Sequence, residues 1–185
     1  MDLSKFKTSD WLKIGGGAAM LIAGFLTWWK ASISGFGSEG AKAFDFFFTG
    51  TIPWLLLVAI GVLSFLAAAG IFKLPSTMPT GIIYLGASAL ALLLVIVRFL
   101  SSGVEDADLF EELGGEISRG PGLFIALLAA IAVVAGSFLG FKESGGDISD
   151  LTDMNKLKGQ FGGATGGGTP PPPPPPAASC LRAQT

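Results

Sequence analysis

The most chemically varied stretch of the chain is SSGVEDADLFEELGGEISRGPG, residues 101–122, where carboxylates gather. Carboxylate oxygens are the ligands that calcium prefers, and an EF-type loop places them at alternate positions before a glycine. Asp106 and Asp108 have that spacing, but Phe110 and Glu111 follow them, so the EF pattern fails. We therefore predict no metal site and interpret residues 105–116, the acidic segment, as a solvated interaction surface; weak binding of divalent cations is the alternative. The predicted interaction residues are Glu105, Asp106, Asp108, Glu111, Glu112 and Glu116.

The same segment also has a helical spacing. Leu109, Leu113 and Ile117 recur every four residues, which predicts a short, weakly amphipathic helix lying on the rest of the protein. Gly114 and Gly115 interrupt that pattern.

Catalytic residue types are scarce. The chain has no histidine, which removes the commonest general base and metal ligand, and its one cysteine, Cys180, cannot form an internal disulfide. Neither a nucleophile–base pair nor a metal-ligating cluster is visible, so we predict a non-enzymatic protein with no catalytic residues and no cofactor. The net charge of -2 gives no basic field for phosphates, so we predict no nucleic-acid partner.

Composition indicates a membrane protein. Half of the residues are hydrophobic and only 14% are charged, against about 25% in soluble domains. Four long apolar runs occupy residues 14–29, 52–72, 81–97 and 123–141, each near the length that crosses a hydrocarbon core of about 30 Å. The runs are apolar on all sides, unlike helices of a soluble bundle. The predicted fold is all-α, a bundle of four transmembrane helices over residues 12–141. Bulky tryptophans follow the first run, so we expect an uncleaved helix rather than a signal peptide.

Aromatic residues cluster around the first connection, AFDFFFTGTIPWLL. Rings at the ends of two apolar helices are typical of the belt where head groups meet hydrocarbon. Pro53 starts the second run, and Pro121 precedes the fourth, where a missing N–H costs nothing. A ligand or lipid head-group site in this loop is the alternative. The predicted interfacial aromatics are Trp28 and Trp29, closing the first helix, with Phe46, Phe47, Phe48 and Trp54.

Ionisable side chains are missing from the four runs, and Arg98 only borders the third, where it could extend to the outer interface. Proton relays and ion-coupled transporters normally carry such groups within the membrane. This absence favours a protein that acts by binding. A transporter or channel subunit acting as an oligomer is the competing function.

Small residues recur every four positions in the first and fourth runs. Such stripes let helix backbones approach closely in a membrane. Contacts within the chain are favoured, and a homo-oligomer remains open. The predicted helix-packing residues are Gly15, Ala19 and Ala23, and Ala132, Gly136 and Gly140.

The distribution of basic residues predicts that both termini are cytoplasmic. The inner side then holds Lys5, Lys7, Lys13, Lys73, Lys142, Lys156 and Lys158, against Lys30, Lys42, Arg98 and Arg119 outside. Residues 1–11 form a cytoplasmic segment. Residues 142–185 are Gly- and Pro-rich with a polyproline run at 170–176, which predicts a disordered cytoplasmic tail available to partners. Apolar residues three apart, at 148–157, could instead become helical against a partner or the inner leaflet.

The segments GFLTWW and GTIPWLLL, together with the low-complexity tail, resemble small uncharacterised four-helix integral membrane proteins of Gram-positive bacteria, especially actinobacteria. The resemblance covers roughly residues 10–141 and carries no catalytic residues. It implies a multi-pass protein of a bacterial cell membrane. With the other observations it leads us to expect an interaction or scaffold component of the cell envelope, in contact with the lipid bilayer and with protein partners.

Overall fold

The computed structural model of the protein describes residues 6–33, 37–71, 80–101 and 115–146, and these are mostly helical. Much of the acidic segment and the whole of the tail from residue 147 lie outside the described residues. The elements are α1 (Thr8–Phe25), β1 (Trp29–Ile33), β2 (Gly37–Ala41), a 3-10 turn (Ala43–Asp45), a π turn (Phe47–Thr51), α2 (Ile52–Ala68), α3 (Thr80–Leu100), β3 (Gly115–Arg119) and α4 (Pro121–Glu143).

Three of these helical segments are long and apolar enough to cross a membrane: Phe47–Ala68, Thr80–Leu100 and Pro121–Glu143. The chain therefore has the helices of a membrane protein. The first helix is not among the three. It begins at Thr8 rather than at residue 14, because the Asp10 carboxylate accepts a hydrogen bond from the Lys7 N–H (3.3 Å) and so caps a polar first turn.

The end of α1 also differs from the prediction that Trp28 and Trp29 close the helix. The helix ends at Phe25, and the Trp28 indole N–H turns back to donate to the Ala23 carbonyl (2.8 Å). The Trp28 backbone N–H then donates to Ala41 O (2.8 Å), while its carbonyl accepts from Gly120 N (2.7 Å). These bonds satisfy backbone groups that leave the helix, so the chain continues as a strand.

An antiparallel sheet of three strands, in the order β2-β1-β3, covers the bundle where α1 and α3 end and α2 and α4 begin; this is the sheet end. Trp29 of the central strand pairs with Ala41 on one side and with Arg119 on the other. No strand was predicted from the sequence. The helix predicted through Ile117 is wrong at that residue, because β3 pairs with β1 through residues 115–119.

The helices form a ring in which α1 packs against α2 and α4, and α3 packs against the same two helices. The core between them contains Met20, Leu57, Val95, Leu123 and Val133, all fully buried. Glycines bring α1 into close contact with α2 and α4. A Cβ added to Gly17 would lie 2.8 Å from the Gly61 Cα, and one added to Gly16 would lie 2.6 Å from Val133 Cγ2.

The residues predicted for helix packing are placed unevenly. Gly136 is buried where an added Cβ would lie 2.8 Å from Leu12 Cβ, and Ala23 is buried in the core. Ala19, Ala132 and Gly140 are half-buried. Gly15 is exposed, with nothing within 4 Å of an added Cβ. The close contacts of α1 thus fall one and two residues after Gly15, at Gly16 and Gly17.

This difference gives a matched pair of substitutions. Gly17→Ala should lower the free energy of unfolding by about 1–3 kcal/mol, because the methyl group forces α1 and α2 apart. Gly15→Ala should leave it unchanged or raise it by up to about 1 kcal/mol, because alanine favours the helix and the site is open. Unfolding of the detergent-solubilised protein in increasing SDS measures both. Equal effects of the two substitutions would contradict the packing of α1 described above.

Candidate functional site

The sheet has a buried face and a solvated face. Side chains alternate along a strand, so Trp29 and Ala31 of β1 share one face with Ile117 of β3. Trp29 is 5% exposed and Ile117 packs against the core. The other face presents small and polar side chains: Lys30, Ser32, Ser38, Gly40, Glu116 and Ser118. That face is available to a partner.

Two strands lie at edges of the sheet, since β1 is central. In the described part of the chain no further strand pairs with β2, and its residues Gly37 to Gly40 are exposed. An edge strand presents unpaired N–H and C=O groups. An extended segment of another protein can add to such an edge through main-chain hydrogen bonds.

A cavity of ≈430 Å³ lies beside this edge, lined by residues of all three strands and by the 3-10 turn. Lys30, Glu39 and Asp45 contribute its charged groups, and Trp29 and Ile117 part of its wall. The Trp29 indole N–H is buried and has no hydrogen-bond partner within the described residues. The cavity therefore offers the carboxylates of Glu39 and Asp45 to whatever enters it.

Two arginines flank Trp29. The Arg98 guanidinium, in the last turn of α3, lies 3.3 Å from the centroid of the Phe46 ring and 5.6 Å from that of Trp29. The Arg119 guanidinium lies 5.6 Å from the Trp29 ring, and its Nε donates to the Phe99 carbonyl (3.2 Å). Arg98 is only 8% exposed; the two rings cover part of its guanidinium, whose Nη1 also donates to the Ser101 hydroxyl (3.5 Å), and the helix C-terminus favours its positive charge.

The predicted interfacial aromatics do not share one environment, and the prediction is wrong for Trp28 and Trp29, which are buried. Phe47 and Phe48 are 64% and 70% exposed, as lipid-facing rings would be. Trp28 and Trp29 are core residues, and Phe46 lies under Arg98. Trp54 is half-buried and makes an edge contact with the Phe44 ring, 5.1 Å between centroids.

Of the predicted interaction residues, Glu116 is described: it is an exposed residue of β3, and its carbonyl accepts from the Ser32 hydroxyl (3.4 Å). Glu105, Asp106, Asp108, Glu111 and Glu112 lie outside the described residues. No group of three or more potential metal ligands occurs among residues 6–33, 37–71, 80–101 and 115–146.

Sequence reasoning missed a second set of polar residues, at the opposite end of the bundle. Lys13 lies within α1, is 8% exposed and forms an ion pair with Asp10 (3.0 Å). The signal was present in the sequence. Asp10 and Lys13 stand three residues apart immediately before the first apolar run, a spacing that pairs charges on one helix face.

Comparison of the chain with protein-family models, with curated proteins and with solved structures finds no significant match. A function for this chain therefore has to be inferred from the residues and geometry described above.

The stacking of Arg98 can be tested by a change that keeps its charge. Arg98→Lys should lower the free energy of unfolding by about 1 kcal/mol, because an ammonium does not stack on the Phe46 ring as a planar guanidinium does. Arg119→Lys, at an exposed position, should cost less than half as much. SDS unfolding of the solubilised variants measures the difference. Equal stability of both variants and the unsubstituted protein would show that the rings do not hold Arg98.

Proposed function

We propose that this chain is a non-enzymatic, four-span integral membrane protein that serves as an interaction component of a bacterial cell envelope. The observation that carries the proposal is the sheet end, where a solvated polar face, an edge strand and a cavity adjoin. The likeness to small four-helix membrane proteins of Gram-positive bacteria supports the cell membrane as its location. The excess of lysines toward the chain termini supports two cytoplasmic termini and an external sheet.

A membrane position for α1 is supported by its length and its surroundings. Its 18 residues extend about 27 Å, close to the thickness of the hydrocarbon core. Leu21, Ile22 and Phe25 are 43%, 59% and 60% exposed on its outer side, which suits lipid better than water. Its charged residues occur in its first two turns. Its buried residues are Ser9, Lys13, Gly16, Gly17, Met20, Ala23 and Gly24.

The chemistry of the sheet end points to an extended, basic partner segment. Of the acidic segment, Glu116 lies in β3 and contributes an exposed carboxylate to the sheet. The edge of β2 can supply main-chain hydrogen bonds, and the adjoining cavity can take one side chain. Glu39 and Asp45 at that cavity favour a lysine or arginine side chain.

A transporter or channel subunit remains the second candidate, and the observation that favours it is the set of polar residues inside the bundle. Lys13, Ser64 and Ser137 are buried among the helices. A conducting path needs polar lining along its whole length. Met20, Leu57, Val95 and Val133 instead fill the core of this ring, so a path would require an assembly of several copies.

The proposed partner surface can be tested by cross-linking in intact cells. A photoreactive residue at Ser38, on the exposed edge strand, should give an adduct that the same residue at Leu128 does not give. Leu128 is 67% exposed on α4, so it controls for exposure without access to the sheet. Mass spectrometry of the adduct identifies the partner, and a second copy of the chain would appear at its own mass.

Charge changes then test how the partner is recognised. Glu39→Lys should weaken its binding about tenfold, whereas Lys30→Glu on the same sheet should maintain or strengthen it, because a basic segment is attracted to the added carboxylate. Adduct formation at Leu128 equal to that at Ser38, or the same sign of effect for both charge changes, would contradict the proposal.

A further inference from the structure

A second cavity, of ≈310 Å³, opens at the N-terminal end of the bundle, where α1 begins and α2 and α4 end. Four residues of α1 or its N-cap form one wall, and the last turns of α2 and α4 form the others. Its polar lining residues are Lys7, Ser9, Asp10, Lys13, Glu143 and Ser144.

The charges of this cavity balance. The Lys13 ammonium lies 3.0 Å from an Asp10 carboxylate oxygen, and the Lys7 ammonium lies 3.6 Å from a Glu143 carboxylate oxygen. That Glu143 oxygen also accepts from the Ser9 hydroxyl (2.9 Å). These two ion pairs leave the space with no net charge, so a ligand with one charge of each sign can exchange partners with them without burying an unbalanced charge.

The helix ends orient such a ligand. The N-terminus of α1 carries partial positive charge, which adds to the two ammonium groups of Lys7 and Lys13 against the one Asp10 carboxylate of the first turn, so an anionic group is favoured there. The C-termini of α2 and α4 carry partial negative charge, which adds to Glu143 and favours a cationic group.

Lys13 connects the cavity to the interior of the bundle. Its Nζ lies 5.8 Å from the Tyr84 ring centroid, and a Cβ added to Gly140 would lie 3.4 Å from it. An ammonium donates three hydrogen bonds, and Asp10 is its one ion-pair partner in the described part of the chain. The buried ammonium thus has donors to offer a bound anion.

Buried hydroxyls lie near the level of Lys13. A Cβ on Gly136 would lie 3.0 Å from Lys13 N, and Ser137 is the next residue of α4. A Cβ on Gly61 would lie 3.2 Å from Lys13 O, and Ser64 lies one turn further along α2. The hydroxyl oxygens of Ser64, Tyr84 and Ser137 are buried without a hydrogen-bond partner in the described residues. This polarity inside apolar helices suits water or ligand oxygens drawn in behind Lys13.

Aromatic side chains mark the same end of the bundle. The Phe6 ring lies 5.7 Å from the Trp11 ring and 6.5 Å from the Phe65 ring, between centroids, so the three connect α1 with α2. Trp11 is 52% exposed, as tryptophan commonly is at the head-group level of a membrane. These rings are not among the lining residues of the cavity, but they give acyl chains an apolar surface at the same end of the bundle while a head group occupies the cavity.

We propose that this cavity binds the zwitterionic head group of an aminophospholipid, its phosphate toward Lys7 and Lys13 and its ammonium toward Glu143. The volume lies at the small end of ligand pockets, which span about 300–1,000 Å³, so it fits a head group rather than a whole lipid. The proposal rests on the membrane position of the chain, but it is independent of any partner at the sheet end.

Three lipids with different head groups test the contributions of the phosphate and of the ammonium separately. Phosphatidylethanolamine has the phosphate and an ammonium with N–H donors. Phosphatidylglycerol has the phosphate without the ammonium, and phosphatidylcholine has a cation that cannot donate. Full-length protein in delipidating detergent, supplied with equal amounts of the three and analysed by native mass spectrometry, should retain phosphatidylethanolamine about tenfold over either competitor, the ratio expected from one charged hydrogen bond.

Substitutions locate the site. Glu143→Gln, at a partly exposed position, should reduce the preference for phosphatidylethanolamine over phosphatidylglycerol, and Lys13→Met should reduce retention of both. Glu39→Gln and Lys30→Met make the same changes at the sheet end, and they should alter neither the preference for phosphatidylethanolamine nor the retention of the lipids. Because Lys13→Met removes a buried ion pair, Glu143→Gln is the decisive variant if Lys13→Met unfolds.

Soluble glycerophosphoethanolamine distinguishes the source of the ligand. It should displace the retained lipid only at concentrations far above those of the lipid itself, because it lacks acyl chains. If the soluble compound displaced the lipid at a concentration equal to that of the lipid, the cavity would still bind this head-group chemistry, but a soluble molecule rather than a lipid would be its ligand. Equal retention of the three lipids, or a preference unchanged by Glu143→Gln, would overturn the proposal.

Discussion

The close approach of α1 to α2 and α4 is the contact on which the rest of the structure depends. It is possible because Gly17 of α1 faces Gly61 of α2 backbone to backbone. Gly136 of α4 likewise has no side chain where Leu12 and Ser9 of α1 pack against it. In a membrane such packing drives helix association, since lipid is as apolar as the side chains. It carries Lys13 into the bundle, where it reaches Tyr84 of α3, and it positions the end of α1 beside the start of α4. Both polar sites follow from that placement.

The two ends of the bundle satisfy the polar groups at their helix termini in different ways. Backbone groups that leave a helix near lipid need partners, because hydrocarbon supplies none. At the sheet end, Thr27 and Trp28 bond with Ala41, Gly120 and Gly122, and three strands complete the pairing. At the N-terminal end, charged side chains pair around a cavity instead. The molecule therefore presents a main-chain surface at one end and an ionic one at the other, which suits two different classes of ligand.

The apolar helices could be predicted from the sequence to within a few residues: runs 52–72, 81–97 and 123–141 correspond to Ile52–Ala68, Thr80–Leu100 and Pro121–Glu143. Long uninterrupted apolar runs leave few alternatives. The sheet could not be predicted, because WKASI, GSEGA and GEISR have little strand propensity and β1 pairs with residues far along the chain. The predicted contact at Gly136 of α4 is confirmed, but the glycine contacts of α1 lie at Gly16 and Gly17 rather than at Gly15, because small residues occur on several faces of that helix. Lys13 was missed because an apolar run, by definition, starts after the last charge.

The central claim is that this bundle acts by binding rather than by moving ions or protons. Purified protein in liposomes carrying a pH-sensitive dye and an imposed proton gradient, or a potassium gradient with an ion-sensitive dye, tests it directly. The expected flux equals that of empty vesicles, and Lys13→Met and Arg98→Met leave it unchanged, because the apolar core of Met20, Leu57, Val95 and Val133 provides no path. A flux that increases with the protein-to-lipid ratio and is abolished by either substitution would contradict the account.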